Sequence, residues 1–288
     1  MTRLIAAIVF CLLLTPVCLA QADAESRSWN QPVEPFRLLG NIYYVGASGV
    51  TSFLIKTPQG HILIDGGFPE TAPMIEKNIG TLGFNLRDVK ILLLSHAHYD
   101  HAGGLAELKR KSGARLLVSE ADTAALRNGG RGDFAWGDRF LMPTVTPDDT
   151  IVDGQRIELG GSTLTARITP GHTRGCTTWT TKVTEQNKTY NVVFSCSVTV
   201  PGYTLVNNSA YPEIIEDYQR SFRTSKSLPC DVLLAPHSEF FQMKEKAARL
   251  RAGDATAFVD PAGCRAYVNQ SERSFQRELE KQQREAKP

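Results

Sequence analysis

Six histidines occur in the chain, and five of them fall in three short stretches. The first stretch is Ser95-His96-Ala97-His98-Tyr99-Asp100-His101, the second Pro170-Gly171-His172-Thr173, the third Leu234-Ala235-Pro236-His237. Imidazole is the commonest protein ligand for zinc, and carboxylate oxygen is a usual companion. Three imidazoles and one carboxylate so close together crowd a single tetrahedral ion. Alternate residues His96 and His98 can point together from an extended segment to one metal, while Asp100 and His101 face a second. Closely spaced metals can share a bridging oxygen, the geometry of two-metal hydrolysis. His172 and His237 then serve as completing ligands. A lone histidine after a strand is usually hydrogen-bonded at the surface or in the core, and His61, beside the Gln59-Gly60 turn, fits that account.

Each cluster needs an element that ends where the ligand must stand. The run Val89-Lys90-Ile91-Leu92-Leu93-Leu94-Ser95 reads as a strand buried on both faces, delivering His96 from its end. Before it the pattern predicts strands over 41–47, 51–57 and 61–65 and a helix over 71–82. After it come a helix over 100–111, a strand over 115–119 and a short helix over 120–127. A loop rich in Gly, Asp and Pro spans 128–149, and its Phe134 and Trp136 are candidates for a pocket wall. Strands follow over 151–159, 162–169, 177–184 and 190–195, then a helix over 212–223 and a buried strand over 231–235. His172 and His237 thus each stand just past a strand. The tail over 261–287 is helical, with Tyr267, Phe275 and Leu279 as docking residues. Strands and helices alternate in both halves and no linker interrupts them, so residues 21–288 read as a single layered α/β domain.

The first twenty residues read as a different object. Arg3 precedes an apolar run from Leu4 to Leu14, Pro16 breaks it, and Leu19-Ala20-Gln21-Ala22 offers small residues for cleavage. This is the order of a secretory signal peptide, too short in its apolar part for a spanning helix of roughly 20 residues. Cleavage after Ala20 or Ala22 would export everything downstream and leave no membrane anchor. Pro16-Val17 before Cys18 is a poor match to a lipoprotein site. Of six cysteines, Cys176, Cys196, Cys230 and Cys264 would remain in the exported chain. An even count there favours disulfides, in three possible connectivities, and no C-x-x-C pair suggests a thiolate metal site. With 32 Lys and Arg against 30 Asp and Glu, and no basic block, nothing points to nucleic acid or an anionic membrane surface.

The histidine clusters carry a family resemblance. His96-Ala97-His98-Tyr99-Asp100-His101 resembles the H-x-H-x-D-H motif of the metallo-β-lactamase superfamily. Gly171-His172 and Pro236-His237 are similar to its later ligand positions, and Asp65-Gly66-Gly67 to its upstream Asp-Gly turn. The resemblance implies the metallo-β-lactamase fold, an αββα four-layer sandwich with the metal site at one edge of the paired sheets. Within the superfamily the chain resembles class B β-lactamases of the third subclass. The shared stretches are Gly171 to Thr180, Pro201-Gly202-Tyr203, Asp217 to Phe222, Cys230 to His237 and Phe258 to Cys264.

That resemblance implies two Zn²⁺ per chain, one on His96, His98 and His172, the other on Asp100, His101 and His237. A metal-activated water, oriented by Asp100, would open the β-lactam amide of penicillins, cephalosporins or carbapenems and so confer antibiotic resistance. Ser197 and Thr199 would bind the substrate carboxylate. The resemblance pairs Cys230 with Cys264, leaving Cys176 with Cys196. It also implies a periplasmic enzyme, taken as a monomer. Lactonases and thioesterases of the fold place a metal-bridging Asp between the last two histidine clusters. Val193 to Val198 holds no carboxylate, which leaves lactone or thioester hydrolysis as the alternative. Other β-lactamase subclasses put a ligating cysteine near here, so a reduced Cys196 would be a ligand, whereas a bridged one leaves Ser197 near the second metal.

Overall fold

The computed structural model describes residues 26–287. The leader over 1–20 lies outside the described residues. Among those described, no helix is long and apolar enough to cross a membrane.

Two sheets form. The first has seven strands in sequence order: β1 (Phe36–Leu39), β2 (Ile42–Tyr44), β3 (Phe53–Thr57), β4 (Gly60–Ile64), β5 (Val89–Leu93), β6 (Arg115–Ser119) and β7 (Asp149–Ile151). Pairing is antiparallel through β4 and parallel from β4 onward. The second sheet runs β12 (Val232–Leu234), β11 (Lys188–Phe194), β10 (Thr177–Glu185), β9 (Ser162–Ile168), β8 (Arg156–Leu159). Only β11 and β12 are parallel there.

Period-two alternation sorts the first sheet's side chains between two cores. Ile62 and Ile64 of β4 and Leu93 of β5 face the second sheet, where they meet Leu164, Ala166, Trp179 and Phe194. Leu63 and Leu92 face the other way, onto α1 (Ala72–Thr81), α3 (Leu105–Ser112) and α4 (Glu120–Asn128) through Ile75, Ile79, Leu108 and Leu126. On the far side, α5 (Ile214–Ser227) and α7 (Pro261–Glu285) bury Tyr218, Phe222, Tyr267, Phe275 and Leu279 in apolar packing continuous with the inter-sheet core. The result is helix, sheet, sheet, helix, as expected.

Three differences from the pattern-based reading have local causes. The helix expected over 100–111 is two, α2 (Tyr99–Ala102) and α3, because Gly104 N–H leaves the helical ladder to donate to Gly67 O. The strand expected over 151–159 is split, β7 belonging to one sheet and β8 to the other, across a turn at Gly154 with φ +79°. The helix α6 (Met243–Arg251) and the strand β1 carry too few periodic apolar residues to stand out in sequence.

Trp179 ties the two sheets: its ring is fully buried between them, and its Nε1–H donates to Leu94 O at 3.0 Å, one step before the first histidine cluster. Removing it leaves a large cavity and an unmet carbonyl. Trp179→Ala should therefore lose about 3–5 kcal/mol of stability, read from urea unfolding of chelated protein.

Candidate metal centre

The clusters converge on one edge of the sandwich because each is clamped by backbone geometry. β4 is followed by Asp65, held at φ +64°, whose N–H donates to Leu93 O. Its carboxylate, 2% exposed, accepts Ser95 N–H at 2.7 Å on one oxygen and Ser95 Oγ–H at 2.7 Å on the other. The loop after β5 is thereby fixed to the end of β4. Gly66 N–H donates to His101 O, closing the same loop from its far side. His98 caps α2 in extended backbone, which turns Asp100 and His101 toward the edge.

His172 follows β9 through Gly171, whose φ is +131° and where a Cβ would meet the Tyr218 ring at 2.8 Å. A glycine is therefore required at that turn. Tyr203 Oη–H donates to His172 O, and His172 Nδ1–H donates to Thr199 O at 2.9 Å. His237 is drawn in from β12 by an antiparallel bridge to Val50 and by Ser238 N–H donating to Gly49 O. The Trp29 ring meets it edge-on at 4.8 Å.

The outcome is two groups of donors. His96, His98 and His172 form one, and Asp100, His101 and His237 the other; within each, ligand atoms lie within 4.8 Å of one another. The imidazoles of the first group are mutually 4.7–4.8 Å apart between centroids. His96 and His101 join the groups at 4.4 Å. In the second, His101 Nε2 stands 3.1 Å from Asp100 Oδ2 and 3.3 Å from His237 Nε2.

These donors fit metal ions. Ser95 Oγ gives its only proton to Asp65, so it must accept from His96 Nδ1–H at 3.0 Å. That sets the tautomer and leaves His96 Nε2 as a lone pair, which has no partner although it is buried; His98 Nε2 has none either. Orphaned buried nitrogens are costly unless something occupies the space between them. Burial pushes His96 and His98 well below their ordinary value, His172 to about 4, and His237, with His101's charge adding to burial, to about 3. Neutral imidazole is the form that binds metal. Burial would raise Asp100, but His101, His237 and His98 outweigh it and hold its carboxyl far below the usual range. His101 goes the other way: burial lowers it, and Asp100 and Asp65 more than reverse that.

All six residues singled out as ligands in the sequence therefore come together. His61 does not join them; it is buried in β4 with its ring against Phe84. Both cystine pairs form, Cys176–Cys196 and Cys230–Cys264. The Cys196 sulfur is thus committed to a bridge beside His96. Ser197 is buried behind the centre, its Oγ 3.0 Å from Thr199 Oγ1, and Thr199 lines the cleft. Trp136 walls the cleft with its ring 4.8 Å from His98, while Phe134 also packs onto Tyr203 and Tyr211. The cleft encloses about 510 Å³ and admits residues that no motif marked, among them Trp29, Asp122, Phe140 and Glu239. Trp29 had no sequence signal, since only the return of the N-terminal segment across the fold brings it there.

The Metallo-beta-lactamase superfamily model matches residues 45–237. Among solved structures, FEZ-1 metallo-β-lactamase from Legionella gormanii is 44% identical, with TM-score 0.87 over 88% of this chain and 98% of that one. A Cronobacter sakazakii metallo-β-lactamase with a HARLDQ motif is 42% identical, TM-score 0.87, covering 90% and 99%. BJP-1, a subclass B3 metallo-β-lactamase of Bradyrhizobium japonicum, is 39% identical, TM-score 0.85, covering 90% and 98%. Curated relatives match less of the chain. An atrochrysone carboxyl ACP thioesterase of Aspergillus novofumigatus is 31% identical over 48% of this chain and 33% of its own. A hydroxyacylglutathione hydrolase of a Bradyrhizobium species is 29% identical over 42% and 39%. The chain spans less than two thirds of the length of these relatives.

Four depressed histidines outnumber the buried groups that are raised and act the other way, Asp65 and Asp122 to about 6 together with His101, which gives the metal-free protein a pH dependence of definite sign. Unfolded histidine takes a proton near its ordinary 6.5, whereas His172 resists until about 4. The unfolded state therefore binds more protons between those values, and stability present above 6.5 is lost progressively as pH falls toward 4. Unfolding midpoints of chelated protein should be lower at pH 5 than at pH 7, and His172→Asn should shrink the difference.

Proposed function

The chain belongs to the metallo-β-lactamase superfamily, and from that premise we propose that it is an exported, zinc-dependent β-lactamase of the third subclass. The observation that carries this reading is the pair of donor groups at the sheet edge, with a buried serine and no carboxylate at position 197. On this reading His96, His98 and His172 hold one zinc and Asp100, His101 and His237 the other. Bound zinc supplies Lewis acidity and lowers the pKa of a water to about 7.

The chain's own groups do the remaining work. Asp100, kept ionised by its histidine neighbours, offers carboxylate oxygen to orient the attacking water through a hydrogen bond. Thr199 lines the cleft, and its Oγ1, 3.0 Å from Ser197 Oγ, would donate to the substrate carboxylate with Ser197 setting its direction. Trp136 and Phe140, edge-on at 5.3 Å, exclude water from the apolar part of the substrate. Residues 21–288 act as one domain and one polypeptide, delivered to the periplasm by cleavage of residues 1–20, and the activity confers resistance to penicillins, cephalosporins or carbapenems.

The curated thioesterases and hydroxyacylglutathione hydrolases favour a second reading, hydrolysis of thioesters or lactones, over their shorter matches. The longer and closer matches to β-lactamases weigh against it.

The test is ring opening of a carbapenem by mature protein, followed by absorbance. Turnover should vanish with a chelator and return with zinc, and His98→Ala should lower kcat/KM by about a thousandfold or more, as loss of several kcal/mol of metal-derived stabilisation requires. Zinc-replete protein that cleaves thioesters or lactones but no β-lactam would transfer the assignment to the second reading.

A further inference from the structure

One buried carboxylate outside the donor set touches both loops that carry the three-histidine group. Asp122, on α4, is 4% exposed. Its Oδ2 accepts Ala97 N–H at 2.9 Å, between His96 and His98, and Thr173 Oγ1–H at 3.0 Å, next to His172. Its Oδ1 accepts Gly175 N–H at 2.9 Å. The packing is built around this contact, because a Cβ on Gly175 would lie 2.5 Å from Asp122 Cγ and 2.0 Å from Ser119 Oγ. Asp100, His101 and His237 have no such link to it. They are held instead by the Asp65 turn, α2 and the Val50 bridge.

We propose that Asp122 is a positioning residue dedicated to the three-histidine zinc site, setting the separation of His96 and His98 from His172 by accepting hydrogen bonds from both of their loops. The proposal rests on the metal-centre reading above. The β5 and β9 loops belong to different sheets, and a single carboxylate with four acceptor directions bridges them alongside the backbone bond from Thr177 N–H to Ser95 O at 2.7 Å. An asparagine in its place turns an NH₂ toward at least one of the N–H donors, and groups that support metal ligands typically cost 10–100-fold in metal affinity when removed.

The two sites are separated by background. His237→Ala leaves the three-histidine site to be titrated alone, and His172→Ala leaves the other. Zinc affinity is measured on full mature protein by competition with a chromophoric chelator. In the His237→Ala background, Asp122→Asn should lower affinity by about 10–100-fold. In the His172→Ala background it should leave affinity within about twofold, since the hydrogen bonds of Asp122 go to Ala97, Thr173 and Gly175 and to none of Asp100, His101 and His237. Thr173→Val, which removes only the hydroxyl, should reproduce part of the loss, and Thr173→Ser should not; this pair serves even if Asp122→Asn fails to fold. An equal fall in both backgrounds, or no fall in the first, overturns the role of Asp122 while leaving the metal centre intact. Failure of the wild-type chain to take up zinc overturns the metal centre itself and this role with it.

Discussion

Five imidazoles and a carboxylate are drawn into one water-poor edge of the sandwich, and the surrounding structure answers to that crowding. Burial strips protons from His96, His98, His172 and His237, because charging any of them would place like charges beside one another in a low-dielectric space. Neutral rings then need their tautomers fixed, or the lone pairs would point at random. Ser95 Oγ does this for His96 by passing its own proton to Asp65. The Thr199 carbonyl does it for His172, while its second lone pair takes the Tyr218 hydroxyl at 2.6 Å. In both cases the second nitrogen of the ring is spent on the scaffold so that the first stays free.

The same requirement explains the chain's departures from regular structure. A helix running unbroken from Asp100 would carry the His101 carbonyl away from Gly66 N–H; the break at Gly103-Gly104 lets Gly66 N–H donate to His101 O and Gly104 N–H donate to Gly67 O, tying the loop to the Asp65 turn at both ends. Gly171 concedes its side chain so that Tyr218 can reach the Thr199 carbonyl. The paired strands β10 and β11 are flanked at their site end by the Cys176–Cys196 bridge, which fixes Ser195 to Thr199, the segment that both His172 and the cleft depend on.

The ligand set was legible in sequence because metal chemistry confines it to few residue types at strand ends, and histidine is scarce elsewhere in the chain. The layers were legible too, since β5 is apolar on both faces and the flanking strands alternate. What stayed hidden depends on contacts between distant segments. Nothing near Trp29 says that it will cover His237, and nothing near Asp122 says that its carboxylate will meet Ala97 and Gly175. The division of 151–159 between two sheets was hidden for a different reason: both halves favour extended backbone, and only the Gly154 turn separates them. The cysteine pairing needed either resemblance or the folded structure, since sequence spacing alone leaves three connectivities open.

Charge at the centre bears on what the cleft accepts. Among the six donors only Asp100 is anionic, and the segment from Ser195 to Val198 adds none. On the proposed reading, two divalent ions on such a set would stay strongly under-neutralised, and a bound cation of that strength would dominate the local field. A bridging carboxylate would have quenched part of it and suited neutral lactones. With Ser197 there instead, 3.0 Å from Thr199 and beside the Cys176–Cys196 bridge, bound metal would keep that charge next to the Thr199 hydroxyl. That combination favours a substrate that brings its own carboxylate next to the bond to be broken, which is the chemistry of a β-lactam and the physical reason to prefer it over a thioester.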